Sequence, residues 1–152
     1  MSVYRVESTP GATKKLRKKA GGAQMTFTVG RQGASAFSAA LLSGEPPCER
    51  AALVVEETSG ALYHVGPLIG HPPLESLPRD TTIAATGREA AVALLTAALS
   101  DYVDFWFVPH PGGFVVYADD EECAEVFAHR QGPVSRAGER LAAAGFRGGH
   151  ER

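Results

Sequence analysis

Hydrophobic and polar positions change period repeatedly along this chain, and each change marks an element. Residues 26–29, Thr-Phe-Thr-Val, alternate as a short strand and stop at Gly30. Residues 31–43 then carry Phe37 and Leu41 on one helical face, with Gly44 as C-terminal cap. Residues 51–56 and 61–65 flank Glu57-Thr58-Ser59-Gly60, the pattern of a hairpin. A Pro- and Gly-rich connector over 66–80 reads as an extended surface loop. Residues 82–85 form the next strand, and Thr86 with Glu89 caps a helix that runs to Ser100. Residues 102–108 and 113–118 flank Pro109-His110-Pro111-Gly112 as a second hairpin. Two helices close the chain: one opened by Asp119 and ended by Gly132-Pro133, one opened by Ser135 and stopped by Gly145.

The order strand, helix, strand, strand therefore occurs twice, over about 25–66 and 81–118. Setting Gly30 against Gly87 makes seven of the fourteen positions 30–43 identical to their partners, the shared Gly-Arg junction included. Two such units predict an α+β fold: a mixed, mainly antiparallel sheet with the helices on one face and two C-terminal helices over 119–146.

Length and composition fit one α+β domain over 25–152. The chain has 152 residues, 44% hydrophobic and 21% charged, which excludes a coiled coil, a fibrous repeat and a wholly disordered chain. No apolar run approaches a membrane span and no secretory pattern opens the chain, so a cytoplasmic protein is expected. Cys48 and Cys123 lack C-x-x-C partners, which points to reduced thiols.

Charge divides the chain. Residues 1–24 sum to +5 and the remainder to −7, and all four lysines lie between positions 14 and 19. With Gly21-Gly22 behind it and no hydrophobic period within it, 1–24 reads as a flexible basic arm. Lys14, Lys15, Arg17, Lys18 and Lys19 are the candidate contacts to nucleic-acid phosphates; a solvated basic tail is the plainer account.

Candidate chemistry is sparse. The acidic run Asp119-Asp120-Glu121-Glu122 lacks calcium-loop spacing and fits a helix N-terminus. His64, His71, His110, His129 and His150 show no metal-ligand spacing. No catalytic residue, metal or cofactor is assigned. Arg31 and Arg88, each beside a glycine where strand hands over to helix, are candidate anion contacts. The helix over 90–100 carries no charge and is apolar nearly all round, so the C-terminal helices or a partner must cover its far side. Val103, Phe105 and Phe107 alternate to one face, leaving Trp106 with Asp104 on the other, in a second small core or at a recognition surface.

These features favour a non-enzymatic protein-interaction module, an inhibitor of the immunity or antitoxin kind or an assembly subunit. It would bind a protein partner or itself through Trp106, Asp104, Leu95 and Val92, with no membrane role. One alternative is a nucleic-acid-associated accessory protein gripping phosphates through residues 14–19. The other is a small-molecule-binding domain or enzyme with a pocket between the two repeats.

Overall fold

The computed structural model describes residues 3–71, 74–119 and 121–149. In chain order they form β1 (Tyr4–Ser8), α1 (Ala12–Lys19), β2 (Ala23–Thr28), a 3-10 turn at Arg31–Gly33, α2 (Ala34–Leu41) and β3 (Arg50–Thr58). The one-turn α3 (Val65–Leu68), β4 (Thr81–Thr86), α4 (Arg88–Ser100), β5 (Val103–His110) and β6 (Val115–Ala118) follow. The chain then adds β7 (Cys123–Ala128), α5 (Gln131–Ala143) and the short β8 (Gly148–Gly149). All eight strands join one sheet, ordered β1-β4-β3-β5-β6-β7-β2-β8, and every neighbouring pair is antiparallel.

This order dictates where the helices lie. The four connections β1-α1-β2, β2-α2-β3, β4-α4-β5 and β7-α5-β8 each join strands that point the same way, because an odd number of strands separates each pair. Crossovers share one hand. Reversing either the strand direction or the direction of travel across the sheet swaps the covered face, and each of the last three differs from the first by one such reversal. So α1 must lie alone on one face, with α2, α4 and α5 on the other, and that is the arrangement seen.

Strand alternation feeds both layers. Ala51, Leu53 and Val55 of β3, Val103, Phe105 and Phe107 of β5, and Ala124, Val126 and Ala128 of β7 enter the large core beneath α2, α4 and α5. Their neighbours Val54, Trp106 and Phe127 form a second small core, roofed by Ala12 and Leu16 of α1 and by Ala20 directly after it. Trp106 stacks against Tyr117 with ring centroids 4.8 Å apart.

Several expectations are corrected here. Of the anticipated flexible arm over 1–24, residues 3–24 instead hold β1, α1 and the start of β2, and residues 1–2 lie outside the described residues. β1 pairs along its whole length with β4, and Asp80 accepts from the Gly11 amide (3.0 Å) and from the Thr13 amide (2.9 Å) and hydroxyl (2.7 Å) at the start of α1. Helices therefore cover both faces, not one. Residues 61–65 make no hairpin strand: Leu62 forms only an isolated bridge to Leu74, and the His64 and Val65 amides turn to Asp101 to open α3. The first unit thus lacks its fourth element. Its flanking strands are also further apart in the sheet than β4 and β5, so the two units do not match as strand-helix-strand-strand.

The helix expected from Asp119 is the strand β7. The Asp119 carboxylate accepts from the Glu121 and Cys123 amides (2.9 and 3.4 Å), and Glu122 adopts φ 67°, which makes a turn. Asp120 lies outside the described residues, as does His150. Gly132-Pro133 sits in the first turn of α5, where proline's missing N–H is harmless. α4, with its uncharged stretch 90–100, is flanked by α2 and α3 rather than by C-terminal helices.

Trp106 is only 2% exposed and Leu95 is wholly enclosed, so neither lies on a recognition surface.

Candidate phosphate-binding surface

Register collects cations at one end of the sheet. Arg50 at the start of β3 lies opposite both Thr86 at the end of β4 and His110 at the end of β5. Arg5 of β1 pairs with Ala84. Val115, where β6 begins, pairs with Phe127 near the end of β7, which places His129 and Arg130 at the same end. The last turn of α1 arrives there with Lys18 and Lys19.

Four depressions ring this end. A basin of about 560 Å³ has a floor of Ala52, Ala84 and Val108 and carries Arg5, Arg50 and His110. Beside α1 a recess of about 310 Å³ is lined by Leu16, Lys19, His110 and His129. It continues into a cleft of about 490 Å³ with His129, Arg130 and Arg136. A smaller recess of about 260 Å³ lies between the end of α2 and α5, with Arg136 and Arg140. The lining of all four includes six Arg or Lys side chains and one carboxylate, Glu45. For a chain of net charge −2 this is a strong local bias.

The α1 cations divide into two roles. Lys14, Lys15, Lys18 and Lys19 are exposed, and among the described residues none of them makes a salt bridge. Arg17 turns inward to the Glu56 carboxylate and lies over the Trp106 and Tyr117 rings, 5.8 and 5.7 Å from their centroids. Glu56 also accepts from the Tyr117 hydroxyl (3.0 Å) and the Trp106 indole N–H (3.4 Å). Burial pushes the Glu56 carboxyl up, but these hydrogen bonds outweigh it and hold the group below its ordinary value. Burial, and then the bond to Glu56, push the Tyr117 hydroxyl well above its usual range. Arg17 is thus an anchor for α1, and the four lysines face solvent.

The other sequence candidates are dispersed. Arg31 and Arg88 do not form equivalent sites, because β2 ends at one edge of the strands and β4 at the other. Arg31 pairs with Glu122 (3.0 Å) and stacks over Tyr102 at 3.9 Å. Arg88 Nε donates to the Leu42 carbonyl (3.2 Å) and Arg140 Nη2 to the Leu41 carbonyl (2.9 Å), so both cap the C-terminus of α2. Asp104 is half-buried near the end of the sheet remote from the cations. Val92 is half-buried and lines an open groove of about 610 Å³ with Ala93, Leu68, Pro67 and Tyr63, the last 64% exposed.

At one end of that groove His64 Nδ1 meets the buried Asp101 carboxylate at 2.8 Å. Cys48 is buried and Cys123 half-buried. Among the described residues no group of three or more His, Cys, Asp or Glu could hold a metal, and no helix is long and apolar enough to cross a membrane.

Sequence reasoning missed Arg5, Arg50, Arg130, Arg136 and Arg140. They stand far apart along the chain with no shared motif, and only the strand register and the docking of α5 bring them together.

Comparison with protein-family profiles, with curated proteins and with solved structures returned no match for this chain.

Proposed function

We propose that this protein is a non-enzymatic module that binds a nucleic-acid duplex through its phosphates, using the cationic end of the sheet and the outward lysines of α1. The carrying observation is the collection of cations there. Among the described residues α1 presents four lysines without carboxylate partners, next to depressions lined by six Arg or Lys side chains with Glu45 as their one acid. Lys19 belongs to both sets. Such a surface displaces counterions from a phosphate backbone and reads no base sequence. Stacking aromatics are few there, since Trp106 and Tyr117 are engaged beneath α1, which favours a duplex over a single strand.

The other readings have less to stand on. A protein-partner surface loses Trp106 and Leu95 to burial and retains Val92 in the α2-α4 groove. A pocket between repeats retains Arg88 and His64 in that same groove, but Arg31 is engaged elsewhere.

Fluorescence anisotropy of the full chain with a labelled duplex, repeated over a range of salt, tests the proposal. Affinity should fall linearly with salt on logarithmic axes. The combined Lys15→Gln, Lys18→Gln, Lys19→Gln variant should flatten the slope by about 0.9 for each phosphate that it no longer neutralises. Unaltered binding by this variant, or no duplex binding at low salt, overturns the proposal.

A further inference from the structure

We propose that the recess between the C-terminal end of α2 and α5 is a seat for a single phosphate group, held by Arg136 and Arg140. The inference deepens the duplex-binding reading and rests on it only for the molecule that carries the phosphate.

The two arginines lie four residues apart on α5 and so share one helical face. Like charges at this spacing are unfavourable without a counter-ion, yet among the described residues neither makes a salt bridge. Helix capping explains part of Arg140, whose Nη2 donates to Leu41. Its Nε is buried without an acceptor and out of reach of the recess, so a ligand there meets the terminal Nη groups. Burial, with Arg136 close by, makes the Arg140 cation harder to maintain than an ordinary guanidinium, and a bound anion would relieve both effects.

The recess suits the ligand in size and in surroundings. At about 260 Å³ it admits a tetrahedral oxyanion with a short appendage. Its other walls carry mostly apolar side chains, Pro109, Pro133 and Phe114 among them, which lower the local dielectric on that side of the arginines. A guanidinium fork matches phosphate oxygens in pairs. Glu45, the one carboxylate on the wall, repels phosphate as it does any anion, so the two guanidinium groups must outweigh it.

The test is titration of the full chain with inorganic phosphate, followed by the side-chain Nε–H signals of the arginines in nitrogen–proton spectra. Saturable shifts confined to Arg136 and Arg140 are expected. Arg136→Gln should weaken phosphate binding at least about tenfold, the loss of one charge-assisted pair. Arg130→Gln, in the adjoining cleft, should leave it within about twofold. Because Arg140 also caps α2, it is probed by Arg140→Lys with thermal melting alongside; the lysine keeps the charge and loses the fork, so affinity should drop while folding persists.

Unsaturable shifts spread over the surface arginines, or an Arg136→Gln variant that binds phosphate as the parent does, sink the proposal. Duplexes with and without 5′-phosphates identify the source: preference for the phosphorylated end assigns a terminal monoester, and equal affinity assigns a backbone diester. Duplex binding without phosphate saturation removes the seat and spares the broader reading. Phosphate saturation without duplex binding keeps the seat and removes that reading.

Discussion

Trp106 shows how a residue that reads as a surface anchor becomes a hinge pin of the fold. Its alternation with Phe105 and Phe107 correctly places it on the opposite face, but that face is roofed by α1, and the indole is packed by Phe127, Tyr117 and the Arg17 guanidinium. Truncation to alanine leaves a cavity under α1, so Trp106→Ala should cost about 3–5 kcal/mol in a urea melt. A loss under about 0.5 kcal/mol, normal for an exposed site, would return the indole to the surface. Glu56 beside it makes the same layer acid-sensitive. Its folded-state pKa lies below the ordinary carboxylate value of about 4.3, so its contribution is complete above that pH and disappears as the pH falls through the folded value. Glu56→Gln should flatten the acid limb of a melting-temperature profile below about pH 5 and barely change its shape near pH 7. Part of the limb should survive, because Asp80 is also held low, chiefly by its hydrogen bonds from the Thr13 amide and hydroxyl.

Among the elements, legibility depends on where the stabilising partner sits. α4, β5 and β6 carry their own signals in period and turn chemistry, and the structure forms them close to the expected limits. α1 carries almost none. Its start is capped from Asp80, far along the chain, and its apolar stripe of Ala12 and Leu16, with Ala20 directly after it, is too thin to register without the cavity it fills. β7 escapes for the opposite reason: the acids before it imitate a helix N-terminus, whereas Ala124, Val126 and Ala128 alternate as a strand. Remote capping of α1 has a measurable consequence. Asp80→Asn keeps a residue that tolerates the left-handed backbone found there (φ 68°) and removes the charge and acceptor capacity. Amide exchange over 12–19 should accelerate about tenfold, equivalent to losing a cap of roughly 1 kcal/mol or slightly more, while α4 amides are unaffected. Equal acceleration in both helices would mean that α1 opens only with the whole fold.

For the whole molecule, net charge and charge placement give opposite expectations. A chain of net −2 and sequence pI near 6.2 should avoid a polyanion at neutral pH if it behaves as a uniform sphere. The sheet instead biases its charges along the strand axis: Arg5, Arg50, Lys18, Lys19 and Arg130 outnumber Glu45, Glu49 and Glu89 towards one end, and Glu57, Asp101, Glu121 and Glu122 outnumber Arg31 towards the other. At about 8 Å, the screening length in physiological salt is shorter than a strand of five or six residues, so a polyanion at the cationic end scarcely senses the acids of the other end. The same reasoning explains why this surface is only partly legible: the lysine run is visible as text, but the arginines that extend it are placed by register alone. Retention on a heparin column separates the two pictures. Lys18→Gln with Lys19→Gln should lower the eluting salt sharply. Glu57→Gln with Glu121→Gln, which shifts net charge by the same amount in the other direction, should move it little. Elution that follows net charge alone, with equal and opposite shifts in the two variants, would show that the protein meets a polyanion as an average and not through one end.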